Sequence, residues 1–175
     1  MTESRQLLQH FLAAIAYRTQ KALRGAPAEF GDFRVSPTSR TPYELLWHMT
    51  GLMGYARTML HGGEFEPPRL SSLEDEVTRF HETLEALRDD LANDSLHAAI
   101  SDAQFLHGPL ADAMTHVGQL AFLRRLAGSP VASENFIFAS IGADNVGAHQ
   151  AQPNAPDPDW RAGEPPHPPG PRRRR

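Results

Sequence analysis

The apolar residues of this chain recur at helical spacing in four separate segments, and stretches rich in glycine, proline and serine lie between them. An α-helix turns about 100° per residue, so this spacing gathers the apolar side chains into one stripe and leaves a polar face outside. Such a helix gains most of its stability by covering its stripe against a neighbour. Four of them on one chain predict an all-α fold, a four-helix bundle, with no strand pattern or internal repeat to compete.

The first segment runs from Thr2 to Leu23, with Leu7, Leu8, Phe11, Leu12 and Ile15 as its stripe, and stops at RGAPAEFGDF. In the second, Thr41 is the N-cap, Pro42 the first helical residue and Glu44 the reciprocal acceptor of a capping box; Gly62 and Gly63 end it. The third opens on serine caps and first-turn acids, carries Leu73, Val77, Phe80, Leu84, Leu87 and Leu91 inward, and is mostly charged outside. The fourth covers Pro109 to Ala127, with DAQFLHGPL able to add an earlier turn, and ends at Gly128 and Pro130. Arg124 and Arg125 in its last turns suit the negative end of the helix dipole. The stretch between the first two helices is too long to require a tight hairpin.

After Pro130, Phe136, Ile137, Phe138 and Ile141 are apolar enough to pack back on the bundle, with a short helix among them. Residues 153–175 hold eight prolines and finish in four arginines, a composition that favours extended, solvated chain. The expected organisation is a bundle domain with its packed C-terminal segment over 1–150 and an irregular Pro/Arg-rich tail over 151–175. The formal charge is −4, and the tail carries five arginines against three acids, so the body is more acidic than the whole. An acidic body argues against nucleic-acid binding. The chain has no cysteine, which excludes disulfides, thiolate metal sites and a cysteine nucleophile. Glu3 stands where a signal peptide wants positive charge, and Gln9 and His10 interrupt the apolar run. A soluble cytoplasmic protein is the expectation, with no membrane span.

Three polar residues fall on the inward side of these helices. His48 shares a side of the second helix with Leu45, Leu52 and Met59, and His116 lies close to the direction of Leu120 and Leu123 on the fourth. Asp112 precedes His116 by four residues, about 40° of helical rotation, so both can grip one ion while His48 closes the facet from the other helix. Two imidazoles and a carboxylate suit zinc first, and also nickel or iron(II), and leave positions for water or substrate. The alternative is a buried hydrogen-bond cluster, with Asp112 serving the helix dipole; Glu44, four residues before His48, is a competing carboxylate. His10, His61, His81, His97 and His167 fall on polar faces, at helix ends or in the tail, where solvation is expected. His107 and His149 are candidates for contact with a substrate or a ligand. Tyr17, Tyr43 and Tyr55 are read as core residues or as pocket residues.

ELLWHMTGLMGYARTML, followed after the third helix by DAMTHVGQLAFLRRLAG, resembles the DinB-like (DinB/YfiT) superfamily of metal-binding four-helix bundles. The resemblance covers residues 5–130. Position by position it makes His48 the first ligand and His116 the last, with Gly118, Gln119 and Gly128 fitting the surrounding motif. Asp112 stands where the pattern has a histidine, which changes the charge and hardness of the site. The resemblance implies a divalent transition metal, a homodimer, and a thiol-dependent S-transferase-type activity in which a low-molecular-weight thiol meets a small electrophilic substrate. The competing reading is a non-catalytic bundle dimer, a stress-linked interaction protein with a degenerate metal site.

Overall fold

A computed structural model describes residues 2–158 and 160–161. Four long helices form: α1 (Glu3–Leu23), α2 (Pro42–His61), α3 (Leu73–Ala92) and, after the four-residue α4 (Asp102–Phe105), α5 (Ala111–Leu126). No strand forms among the described residues, only an isolated bridge between Glu134 and Pro156. No helix there is long and apolar enough to cross a membrane.

The helix starts follow their local chemistry. The Thr41 side chain accepts from Glu44 N–H while the Glu44 carboxylate accepts from Thr41 N–H, the reciprocal box expected from the sequence. Thr2 and Ser72 cap α1 and α3 in the same way with one side-chain bond each. The earlier turn before the fourth segment is real: Ser101 caps α4, and the chain passes through a π-helical turn at Leu106–Leu110 into α5. Gly108 (φ −85°, ψ −108°) and Pro109 break the regular ladder there.

In the bundle α3 and α5 each pack against both α1 and α2, so α1 and α2 face each other across a diagonal. The long α1–α2 connection, with its 3₁₀ turn at Ala28–Asp32, makes that crossing possible. The core runs through Leu12, Ile15, Leu46, Met49, Met53, Phe80, Leu84, Leu87, Phe105 and Leu120, all without exposed surface. Leu7, expected in the stripe of α1, is 66 % exposed, because the buried stripe of α1 begins one residue later at Leu8.

Two other expectations change. His81, read as solvated, is buried: its Nδ1–H donates to the Val146 carbonyl at 2.8 Å, and its Nε2 accepts from the Gln20 amide at 3.0 Å. Glu76, in the first turn of a helix read as charged on the outside, is fully buried and accepts from Thr50 Oγ1 at 2.5 Å and from Arg79. The C-terminal segment does return to the bundle, but through Val146, which enters the core, and the partly buried Ile141. Ile137 and Phe138 stay exposed, because the three side chains of the 3₁₀ turn Phe136–Phe138 radiate in different directions. Phe136 alone faces inward, edge-on to Tyr17 and under the Arg18 guanidinium. Tyr17 is a core residue whose hydroxyl donates to Glu134, and burial first, then that bond, pushes its pKa up to about 12. The opening of the tail is tied down by Asn135 N–H to Ala155 O and Asp157 N–H to Ser133 O. The four terminal arginines and His167 lie outside the described residues.

Arg124 serves a different helix from its own. It is buried, and its guanidinium donates to the carbonyls of Ala22, Leu23, Arg24 and Gly25, the orphan acceptors at the end of α1, and to Ser129 O. Gly25 (φ +64°) supplies the left-handed residue that turns those carbonyls toward it. Arg125, its neighbour, is exposed. Arg124→Gln should therefore cost about 3 kcal/mol in urea unfolding, whereas Arg125→Gln should stay within about 0.5 kcal/mol. His81 adds a pH dependence. Burial holds its folded-state pKa below the ordinary value of 6.5, despite the opposing bond to Val146. Its contribution is complete above the unfolded pKa and is lost as pH falls from there toward the folded value, where the unfolded chain takes up the proton first. Thermal melts from pH 7.5 down to 5 should show this acid loss in the wild type and a shallower slope in His81→Gln.

Candidate metal centre

α2 and α5 are neighbours, and the side chains of His48, Asp112 and His116 meet between them. Each offers a ligand atom, and these atoms all lie within 4.8 Å of one another, so the group could hold a metal ion. His116 Nε2 stands 3.3 Å from Asp112 Oδ1, and His48 Nε2 stands 3.9 Å from Asp112 Oδ2. The two imidazoles meet edge to face, with centroids 4.9 Å apart and planes at 78°. Bonds of about 2.0–2.1 Å to one zinc ion set tetrahedral donors about 3.4 Å apart, so the donor set needs only small side-chain adjustments to fit.

The burial of the three is graded. His116 is buried, with 11 % of its side chain exposed, His48 is at 31 % and Asp112 at 47 %. Asp112, read from the sequence as inward, thus lies at the rim, in the first turn of α5, where the positive end of the helix favours a carboxylate. His48 is on the flank of its helix: the buried line of α2 runs through Leu46, Met49, Met53 and Leu60, and of the residues expected to share the side of His48, Leu45 is buried while Leu52 and Met59 are only partly so. That offset gives the group an inner wall and an open mouth.

Gln119 fixes the polarity of the inner ligand. Nδ1–H of His116 donates to Gln119 Oε1 at 2.8 Å, which leaves the Nε2 lone pair pointing toward Asp112. A lone pair and a carboxylate oxygen at 3.3 Å repel unless a proton or a cation lies between them. The pKa of His48 is lowered by burial first and next by the charge of Arg40, which favours its neutral, ligating form, with Asp112 opposing.

Two cavities open beside His48, of ≈530 Å³ and ≈290 Å³, sharing Trp47, His48 and Arg69. The smaller is walled mostly by the end of the α1–α2 connection and the start of α2, and the larger by the α2–α3 connection, which is stitched to the outer face of α2. Trp47 Nε1–H donates to Pro67 O, and Tyr43 both donates to Leu70 O and accepts from Leu70 N–H. Phe65 lies so close to Gly54 that a Cβ there would fall 1.9 Å from its ring. Tyr43 is thus a clamp for this loop, and Tyr55 is exposed. Trp47, Phe65 and Arg69 were not singled out in the sequence; the aromatic and basic residues of GEFEPPR between two helices were the available signal.

The remaining histidines stay out of the group. His10, His97, His107 and His149 are exposed, and His61 is exposed and pairs with Asp90 at 2.9 Å. Glu44 does not compete as a ligand, being taken by Thr41 N–H and Arg34. Comparison of the chain with family models, curated proteins and solved structures finds no match.

The bond from Gln119 can be tested by zinc titration of protein stripped of metal. His116→Ala should abolish high-affinity binding with the helical circular dichroism intact, and Gln119→Leu should weaken it about 10–100-fold through the lost orientation of His116.

Proposed function

We propose that this chain is a DinB-like helical bundle that holds one divalent transition metal ion, zinc before nickel or iron(II), on His48, Asp112 and His116, and performs thiol-dependent S-transfer to a small electrophile. The observation that carries this reading is the convergence of three lone-pair donors from two helices, with the inner imidazole oriented by Gln119. Sequence resemblance supports it through His48, His116 and the Gly118–Gln119 pair. Asp112 in a position where the family pattern has histidine gives the site a negative charge that favours retention of a dication and a harder donor.

Three protein ligands leave coordination positions open toward the mouth, where the two cavities adjoin His48. When bound, the ion supplies Lewis acidity, lowering the pKa of an incoming thiol toward thiolate. The chain has no cysteine, so the thiol arrives from outside. Phe65, Pro67 and Trp47 wall the larger cavity and offer an apolar bed for the electrophile. The sulfur–carbon bond forms as the leaving group departs with its bonding electrons, and the thiol proton passes to solvent.

The test is elemental analysis of purified protein followed by an S-arylation assay with N-acetylcysteine and 1-chloro-2,4-dinitrobenzene. About one divalent ion per chain, and adduct formation above the spontaneous rate that chelator and His116→Ala both remove, are the expected results. Protein that takes up no zinc overturns the metal reading. Zinc uptake without rate enhancement for any thiol–electrophile pair tried favours the non-catalytic bundle.

A further inference from the structure

The smaller cavity beside His48 carries an imbalance of charge. Three arginines line it, Arg34, Arg40 and Arg69, against a single carboxylate, Glu44. Glu44 is already committed: both of its oxygens accept from Arg34, at 3.1 and 3.0 Å, and it also closes the capping box of α2. Arg40 and Arg69 make no ion pair among the described residues, although the charge of Arg69 reaches Glu44. Glu66 lines the larger cavity together with Arg69 but makes no ion pair with it. Elsewhere the partly buried Arg5, Arg57 and Arg88 pair with Asp102, Asp90 and Asp89.

The two unpaired arginines are placed by the fold. Arg69 belongs to the loop that Tyr43 and Trp47 pin to α2, and its guanidinium lies 4.7 Å from the Trp47 ring centre. Arg40 directly precedes the α2 N-cap, Thr41, and its charge reaches His48. A guanidinium on a tryptophan face keeps its edge donors free for a planar acceptor. The adjoining larger cavity has an aromatic and proline wall, which suits an organic body better than a bare inorganic ion.

We propose that Arg40 and Arg69 form an anion subsite that takes the carboxylate or phosphate of a small planar organic ligand, whose apolar part lies across Trp47 into the larger cavity beside His48. As a statement of substrate class this rests on the metal-dependent reading above; the subsite itself requires only the two arginines and Trp47. A divalent ion on the neighbouring donors would add to the positive charge and strengthen the same preference.

The experiment follows Trp47 fluorescence in a Trp160→Phe background, with zinc-free and zinc-loaded protein, using benzoate, phenyl phosphate and the neutral isostere benzamide. At least one of the two anions should bind at least tenfold more tightly than benzamide in both forms, and which of them does so identifies the anionic group. Arg40→Gln/Arg69→Gln should remove at least tenfold of that affinity, while Arg125→Gln, at a distant exposed arginine, leaves it unchanged. Equal binding of anions and benzamide overturns the proposal. So does anion binding that survives the double variant; survival in the zinc-loaded form alone would mean direct capture by the zinc. Because zinc content is measured separately, a chain that binds benzoate through its arginines but no zinc overturns only the metal reading, and a chain that binds zinc but no anion overturns only the subsite.

Discussion

Every polar side chain that enters a helix–helix interior must find its hydrogen-bonding partner there, because water is excluded and an unmatched group costs about 1–3 kcal/mol. The bundle meets this constraint in several places by borrowing from a neighbouring element, although the buried Thr19 hydroxyl has no partner among the described residues. Arg124 of α5 serves the carbonyl end of α1. Glu76 of α3 is met by Thr50 of α2, and His81 of α3 by Gln20 of α1 and by Val146 of the returning chain. These pairs fix how the helices sit against each other where apolar contact alone would permit sliding.

Against that pattern the His48, Asp112 and His116 group is different in kind. Its members bring lone pairs and a negative charge toward one another, and the one donor of His116 is directed away to Gln119. The group sits where the interior meets the mouth, so a ligand could enter without opening the core. Arg40 and Arg69 of the adjacent cavity extend the same logic outward: charges that the protein has placed without an ion pair among the described residues. Both features are arranged around one residue, His48, because α2 contributes its flank to the group and its N-terminal turns to the cavity walls.

Much of the fold was legible from residue spacing. The capping box at Thr41 and Glu44, the stripe of α3 and the stop after Leu126 depend on interactions within a few residues, and the chain alone specifies them. The extra turn around Ser101 was open in the sequence because Gly108 and Pro109 read as a break; the chain does kink there, at a π-helical turn, and the short α4 forms ahead of it. The aromatic run Phe136–Phe138 misled for a related reason: apolar residues in succession do not share a face in a tight turn. His81 and Glu76 misled because a polar residue looks solvated until the partner that accepts it is known.

The same division holds at the candidate site. Sequence by itself determined that Asp112 and His116 share a helical face, since four residues of an α-helix always return to nearly the same direction. It also marked His48 as belonging to a second amphipathic helix. Only the tertiary structure decided that α2 and α5 are adjacent while α1 and α2 are not, that Asp112 stands at the rim, and that Arg40, Arg69 and Trp47 gather beside His48. Helical periodicity is a local property of the backbone. Adjacency depends on how four stripes and their connections pack together, which no single segment encodes.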